Sequence, residues 1–233
     1  MNLIAPIINI IYPPFCEICC IKLKIEEKYI CSSCLKKIRI NMPPFCRKCS
    51  RHLSNKRDLC WECLSQNFHI EQVWSWGIYR DVLKQYIYHL KYKHKPYLIN
   101  ILKDHLYEFF EQNQIIEYVD ILCPIPLYPS KLKERTFNQS EVLANIIHKR
   151  YKIDSCEMIR KTRHTIAQNR LNKKQRHENI KGSFTLNRNV LRGKNILLID
   201  DILTTGATLN ECARVLLEGG AKKVYGFTLA RGL

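Results

Sequence analysis

The sequence predicts an α/β protein: a mostly parallel sheet flanked by helices, with a small cysteine-rich domain in front. Three observations carry that expectation. Eight of the twelve cysteines form four Cys-x-x-Cys pairs that end at Cys63. From Val73 onward, strand-like apolar runs alternate with helix-like ones, as in sheets whose parallel strands are joined by helical crossovers. Near the C-terminus, a strongly apolar strand runs into Asp200-Asp201 and a Thr/Gly turn that opens a helix. The 233 residues are 46% hydrophobic, which allows a real core and excludes general disorder. No stretch approaches the ~18 apolar residues that span a bilayer.

The opening, Met1 to Tyr12, is apolar, has no basic residue before it and runs directly into Pro13-Pro14. An export signal is therefore not expected, and the stretch is expected to pack against the domain that follows. In that domain the pairs are Cys16/Cys19, Cys31/Cys34, Cys46/Cys49 and Cys60/Cys63, separated by 11, 11 and 10 residues. Two thiolates of one knuckle can share a tetrahedral ion, and a second knuckle completes the shell. The four pairs thus predict two zinc ions, each in a site of four cysteines. A disulfide framework belongs to small exported domains, and iron–sulfur proteins use other cysteine runs. An internal repeat accompanies the pairs: Pro13-Pro14-Phe15-Cys16 returns as Pro43-Pro44-Phe45-Cys46, and Cys31-x-x-Cys34-Leu35 as Cys60-x-x-Cys63-Leu64. A duplicated unit suggests that each copy closes its own site, with an interleaved cross-brace as the alternative. Glycine often follows the second cysteine of such knuckles, but Cys20 and Ser50 stand there. So few apolar residues per copy imply folding around the metal.

Val73 to Tyr79 reads as a strand carrying Trp74 and Trp76, and Val82 to Gln112 as one or two helices. Tyr86, Tyr88, Tyr92 and Tyr97 alternate there with Lys91, Lys93 and Lys95. That mixture reads as core with lysine stems laid along it, or as a base-stacking surface. Val119 to Cys123 is a short strand ending at Pro124-Ile125-Pro126, and Lys131 to Arg150 one amphipathic helix. Ser183 to Leu186 and Asn195 to Ile199 are strands, Thr208 to Glu218 a helix and Val224 to Ala230 the last strand. Gly219-Gly220 stops that helix.

Charge is uneven. The 38 Lys and Arg against 21 Asp and Glu give a net charge of +17, and residues 121–195 hold 17 basic against 5 acidic side chains. Arg160 to His177 contains Arg163, Arg170, Lys173, Lys174 and Arg176 and no acidic residue. Such a run is a solvated face or a site for phosphates or a nucleic-acid backbone; the size of the excess favours the anion site.

The loop after the apolar strand Ile196-Leu197-Leu198-Ile199 carries the most specific chemistry. Asp200 and Asp201 can accept hydrogen bonds from vicinal sugar hydroxyls. Thr204-Thr205-Gly206-Ala207-Thr208 brings small residues and hydroxyls to a helix N-terminus, whose unpaired amides favour a phosphate. Together they describe a ribose 5-phosphate site.

The run from Ile196 to Thr208 resembles the phosphoribosyl diphosphate (PRPP) signature of type I phosphoribosyltransferases. Pro124-x-Pro126-Leu127 with Lys131, Arg135 and Asn138-Gln139, then Gln168, Arg176, Asn179, Gly182 and Phe184, resemble the ComF family of competence proteins. The cysteine pairs in front match that family's double zinc ribbon, and the pieces keep its order over residues 13–231. The resemblance implies a type I phosphoribosyltransferase-like domain, residues 68–233, behind a double zinc ribbon, residues 1–67. By the same resemblance Asp200 and Asp201 hold ribose, and Thr204, Thr205, Gly206, Ala207 and Thr208 the 5-phosphate. Leu127, Lys131 and Arg135 lie near a pyrophosphate bound with magnesium. Arg163 to Arg176, with Gln168, Arg170, Lys173 and Lys174, matches a mobile loop and a surface for DNA. Thr136 departs from the glycine that relatives carry after the arginine. Thr204 stands where transferases acting on 6-oxopurines have an Asp facing the base, which speaks against guanine or hypoxanthine salvage.

Function follows as expectation. The chain is a DNA-uptake protein of natural transformation that handles single-stranded DNA in the cytoplasm, peripheral at the inner face of the membrane, and binds PRPP with magnesium. Its expected partners are single-stranded DNA, PRPP and other DNA-uptake proteins such as a helicase or channel. The alternative is a phosphoribosyltransferase of nucleotide salvage with an unidentified acceptor.

Overall fold

A computed structural model describes residues 13–54, 57–65, 68–165, 173–187 and 193–232. Met1 to Tyr12, Gln168 and Arg170 lie outside these residues, as do the side chains of Lys173 and Lys174. Two short helices, α1 (Ser32–Lys36) and α2 (Trp61–Leu64), belong to the cysteine-rich part. They are followed by β1 (Val73–Ile78), α3 (Asp81–Tyr92), α4 (Lys103–Gln112), β2 (Ile121–Pro124), α5 (Pro129–Arg135) and α6 (Gln139–Tyr151). Then come β3 (Asp154–Ser155), β4 (Ile159–Lys161), α7 (Lys173–Ile180), β5 (Phe184–Leu186), β6 (Asn195–Leu203), α8 (Ala207–Glu218) and β7 (Lys223–Arg231).

Five strands form one sheet in the order β1-β7-β6-β2-β3, every pair parallel. The period-two alternation of a strand divides β6 between the two faces. Leu197 and Ile199 meet Leu83, Leu90, Phe110 and Leu143 of α3, α4 and α6. Ile196 and Leu198 meet Leu209, Cys212 and Leu216 of α8. Burial on both faces explains why these strands read as continuous apolar runs. Among the described residues no helix is long and apolar enough to cross a membrane.

Four expectations need correction. The helix expected over Lys131 to Arg150 is two helices. The first ends at Thr136, whose φ of 65° is left-handed, and Asn138 caps the second by accepting from the Ser140 amide at 3.1 Å. The strand at Ser183–Leu186 forms as β5 but stands outside the main sheet, antiparallel to β4. The strand expected to end at Ile199 runs on through both aspartates to Leu203. The last four residues of the expected mobile loop, Lys173 to Arg176, are helical, because Lys173–Ile180 forms α7.

The cysteine-rich part keeps its duplication in three dimensions. Cys16 and Cys46 donate their amides to Ile21 and Arg51 at 2.8 Å each, and Leu23 and Leu53 to Pro14 and Pro44, again at 2.8 Å. Cys31 and Cys60 are the N-caps of α1 and α2. Copy one packs into the main core through Leu23, Ile30 and Ile38, whereas copy two keeps a separate cluster with Leu53, Leu59 and Phe68. Cys20 and Ser50 sit at φ 57° and 55°, so the knuckles take the left-handed turn without glycine. Ser50 gains from its side chain, because its Oγ accepts from the amides of Asn41 (Nδ2) and Ser75 at 3.0 and 3.1 Å. Cys20 is exposed and has no such compensation in the described structure. A left-handed turn costs a non-glycine residue ~1–2 kcal/mol, part of which glycine returns through unfolded-state entropy. Cys20→Gly should therefore stabilise the zinc-loaded protein by about 0.5 kcal/mol in urea denaturation; a lower midpoint would contradict this account.

Candidate functional site

Each copy of the repeat closes its own metal site. Cys16, Cys19, Cys31 and Cys34 form one cluster and Cys46, Cys49, Cys60 and Cys63 the other, with all sulfurs of a cluster within 4.8 Å of one another. Zinc–sulfur bonds of ~2.3 Å at tetrahedral angles require sulfurs about 3.8 Å apart. The Sγ separations are 3.9 Å for Cys16–Cys34, 3.7 Å for Cys19–Cys31 and 3.7 Å for Cys49–Cys60. Both four-thiolate sets therefore fit zinc, and the interleaved pairing is not formed. The amides of Ile18 and Cys31 donate to the Cys16 sulfur at 3.5 and 3.4 Å, the outer-shell support that thiolate ligands need.

The two aspartates stand where β6 has run past the end of β2 but still pairs with β7. Asp200 accepts from the Asp201 amide at 2.8 Å and the Ser140 hydroxyl at 3.4 Å, and Asp201 forms an ion pair with Lys91 Nζ. Burial, then the neighbouring Asp201 carboxylate, push the Asp200 pKa up to about 7, with Lys91 opposing. The pair is thus short of positive charge or hydrogen-bond donors, and a sugar diol or a magnesium ion would supply either.

After the aspartates the backbone turns through Gly206, the N-cap of α8, at φ 79°. Thr205 Oγ1 accepts from the Ala207 amide at 3.4 Å, and Thr204 and Thr208 flank the same turn. Arg231, at the end of β7, is only 4% exposed and donates from Nη1 to the carbonyls of Leu203 and Thr204 at 2.9 and 2.7 Å. The Gly232 amide adds a bond to Leu203 O at 2.7 Å. Arg231 and the Gly232 amide thus hold the carbonyls of the turn from behind, at the start of α8, the helix end whose dipole favours an anion.

Leu127 is half-buried between β2 and α5. Lys131 pairs with Glu134 on its own helix at 2.6 Å, and so is turned to a neighbour rather than to the aspartates. Arg135 donates to Gln139 Oε1 at 3.1 Å and lies 5.5 Å from the Tyr92 ring centroid. Thr136 holds the left-handed conformation that a glycine would take, and His94 Nδ1 lies 3.2 Å from its hydroxyl. The departure from glycine leaves that backbone conformation in place. Arg163 donates to the carbonyls of Asn179 and Lys181 at 3.0 Å each, tying the start of the basic segment to the end of α7. Arg176 borders the turn at Thr204 and Thr205.

Three residues of the site carry no local mark of their role in the sequence reading. Lys91 looks like any lysine on an amphipathic helix, yet it reaches Asp201. Arg231 lies in the final strand, where a buried strand normally continues apolar. Lys161 on β4 has its pKa lowered, first by burial, with Asp200 and Arg135 among the charges acting on it. An ion in an apolar pattern is the signal that could single out Arg231; Lys91 and Lys161 have none.

Comparisons with known proteins agree with this layout. Residues 7–64 match the double zinc ribbon domain, and residues 138–232 the phosphoribosyl transferase domain. Competence protein F of Haemophilus influenzae is 27% identical over 222 residues, covering 93% of this chain and 96% of that protein. A DNA utilization protein of Escherichia coli is 28% identical over 228 residues, 95% of this chain and 98% of that one. Competence protein ComFC of Bacillus subtilis is 34% identical over 221 residues, covering 86% of that protein and 90% of this one. With such a relative across nine-tenths of its length, and the ribbon and transferase domains in the same order, the chain belongs to the ComF family of competence proteins.

Proposed function

We propose that this protein serves DNA uptake by binding and handling single-stranded DNA in the cytoplasm, and that it binds PRPP with magnesium at the end of β6. In this reading Asp200 and Asp201 accept from the ribose hydroxyls, and Thr204 to Thr208 surround the 5-phosphate. Leu127, Lys131 and Arg135 lie toward the pyrophosphate, with Lys131 released from Glu134. Magnesium would offset the charge of the pyrophosphate and of the aspartates. Relatives named for competence and for DNA utilization support the role in uptake.

The observation that carries DNA binding is an exposed aromatic and basic face. Tyr88 and Tyr92 are 50% and 47% exposed with ring centroids 5.1 Å apart, and Tyr29 lies 4.3 Å from Tyr97. Arg135 stands over Tyr92, so the face continues toward the aspartates. Unstacked bases gain ~1–3 kcal/mol each on such rings, and the net charge of +17 supplies affinity for the backbone. Fluorescence anisotropy with single-stranded DNA at several salt concentrations tests the reading. Binding should weaken steeply with salt, and K173E/K174E, which removes two contacts, should flatten the slope by about 1.4. An unchanged slope would remove those lysines from the DNA surface, and no binding at low salt would remove the DNA reading.

The second reading is a phosphoribosyltransferase with an unidentified acceptor, favoured by open volume beside Thr204 and Thr205. It requires base-dependent release of pyrophosphate from PRPP; a screen in which no acceptor consumes PRPP would leave binding alone.

A further inference from the structure

A cavity of about 520 Å3 lies between the second zinc ribbon and the turn after β6. Arginine dominates its wall: Arg51, Arg80, Arg176 and Arg231 all line it. The carboxylate among them, Glu62, forks onto Arg51 with two bonds of 3.0 Å. Arg80 is exposed and forms no ion pair among the described residues. Arg231 is 4% exposed, and its Nε has no hydrogen-bond partner among the described residues. A buried guanidinium with an open donor, beside further arginines, is built to take an anion.

The rest of the wall narrows the class of ligand. Phe68 and Tyr79 bring aromatic surface to the cavity, whose volume suits a mononucleotide. Thr204 and Thr205 line it too, so it opens onto the phosphate turn. The Tyr79 amide donates to Arg231 O at 2.8 Å, which ties this ring to the strand end behind the phosphate turn. Cys49 and Cys63 form the far side, so the second ribbon acts as the roof.

We propose that this cavity is a second anion site, for the phosphate of a nucleotide, seated beside the PRPP site. The inference rests on the PRPP reading only for its neighbour; the arginines define the cavity by themselves. The nucleotide comes free or as the 5′-phosphorylated end of a DNA strand, and both present one phosphate to the arginines with one base against Phe68 and Tyr79.

The test uses the full chain with two zinc ions bound and a decanucleotide labelled at its 3′ end, with and without a 5′-phosphate. The wild type should prefer the phosphorylated form about tenfold, the scale of one charge-assisted contact. Arg80→Glu should abolish the preference, while Lys103→Glu, a basic residue on α4 away from the cavity, should keep it. Saturating Mg-PRPP should leave the phosphorylated strand bound. Displacement by dAMP supports the site with the free nucleotide as source. Failure of dAMP, with the preference still lost in Arg80→Glu, supports it with the strand end as source. A preference that survives Arg80→Glu overturns the proposal. One-for-one displacement by Mg-PRPP also overturns it, since the phosphate would then sit in the turn after β6. If the wild type binds no PRPP, the neighbouring reading falls, and the Arg80 arm still decides the cavity.

Discussion

Losing zinc from the second ribbon should loosen the turn after β6, whereas losing it from the first should not. Either loss is expected to unfold its own copy of the repeat, because structural zinc contributes ~10–16 kcal/mol of folding energy in isolated fingers. The difference lies in what each site supports. Cys49 and Cys63 are among the charges acting on the buried Arg231 guanidinium. From the other side Arg231 holds the carbonyls of Leu203 and Thr204. Four thiolates on one zinc ion keep a net negative charge, which balances the buried guanidinium. Removing one partner of a buried charge pair costs ~3–5 kcal/mol, so Arg231 would give up its place and the turn its support. Cys63→Ser and Cys34→Ser make the comparison. Each should bind one zinc ion fewer by mass spectrometry. Cys63→Ser should in addition speed amide exchange at residues 203–208 and weaken Mg-PRPP at least tenfold, with Cys34→Ser closer to the wild type. Equal effects of the two substitutions would disconnect the second ribbon from the turn.

The contrast between these zinc sites marks what the sequence disclosed. Thiolate spacing is a local property, so the four pairs and the thirty-residue repeat announced both metal sites before any fold was known. The apolar strands were legible because burial on both faces leaves little polar interruption, and Asp200-Asp201 stood out as ions at the end of such a run. Less was visible where tertiary structure decides. Lys91 reaches Asp201 because the order β1-β7-β6-β2-β3 brings the end of α3 over the end of β6, which no window of sequence contains. β4 is three residues, too short for an alternating pattern, and the equally short β5, though legible as a strand, gave no sign of its pairing with β4 outside the main sheet. α7 reads as a loop because only Ile180 of its described side chains is buried, so it has no apolar stripe. Cys20, Ser50 and Thr136 take left-handed turns without glycine, so the usual mark of those turns was missing.

Asp200→Asn should stabilise the free protein at pH 8 and destroy its affinity for Mg-PRPP, opposite effects from one substitution. In the fold, burial and Asp201 hold the Asp200 pKa up at about 7, above the ordinary aspartate value of 3.8. An acid with a raised pKa in the folded state contributes fully below its unfolded pKa, and that contribution is lost as pH rises through the folded pKa. The wild type therefore loses stability between about pH 4 and pH 7 and reaches a plateau above. Asparagine never ionises, so the gain of the variant should grow over that window and level off on the order of 2 kcal/mol. Lys91 and Lys161, the cations that act near Asp200, remain in place throughout. Binding runs the other way. Ribose hydroxyls and magnesium both favour the ionised carboxylate, so wild-type affinity for Mg-PRPP should rise from pH 6 to pH 8 with release of a proton. Asp200→Asn should bind at least tenfold more weakly at pH 8 and show a flatter profile, read by calorimetry in two buffers of different ionisation enthalpy. Affinity retained in the variant would take the sugar site away from Asp200, and a variant less stable than the wild type at pH 8 would show that the carboxylate is a structural partner. The combination of a more stable fold and a lost ligand is what a site held ready for a cation or a diol must give, because its strain is relieved only by what it binds.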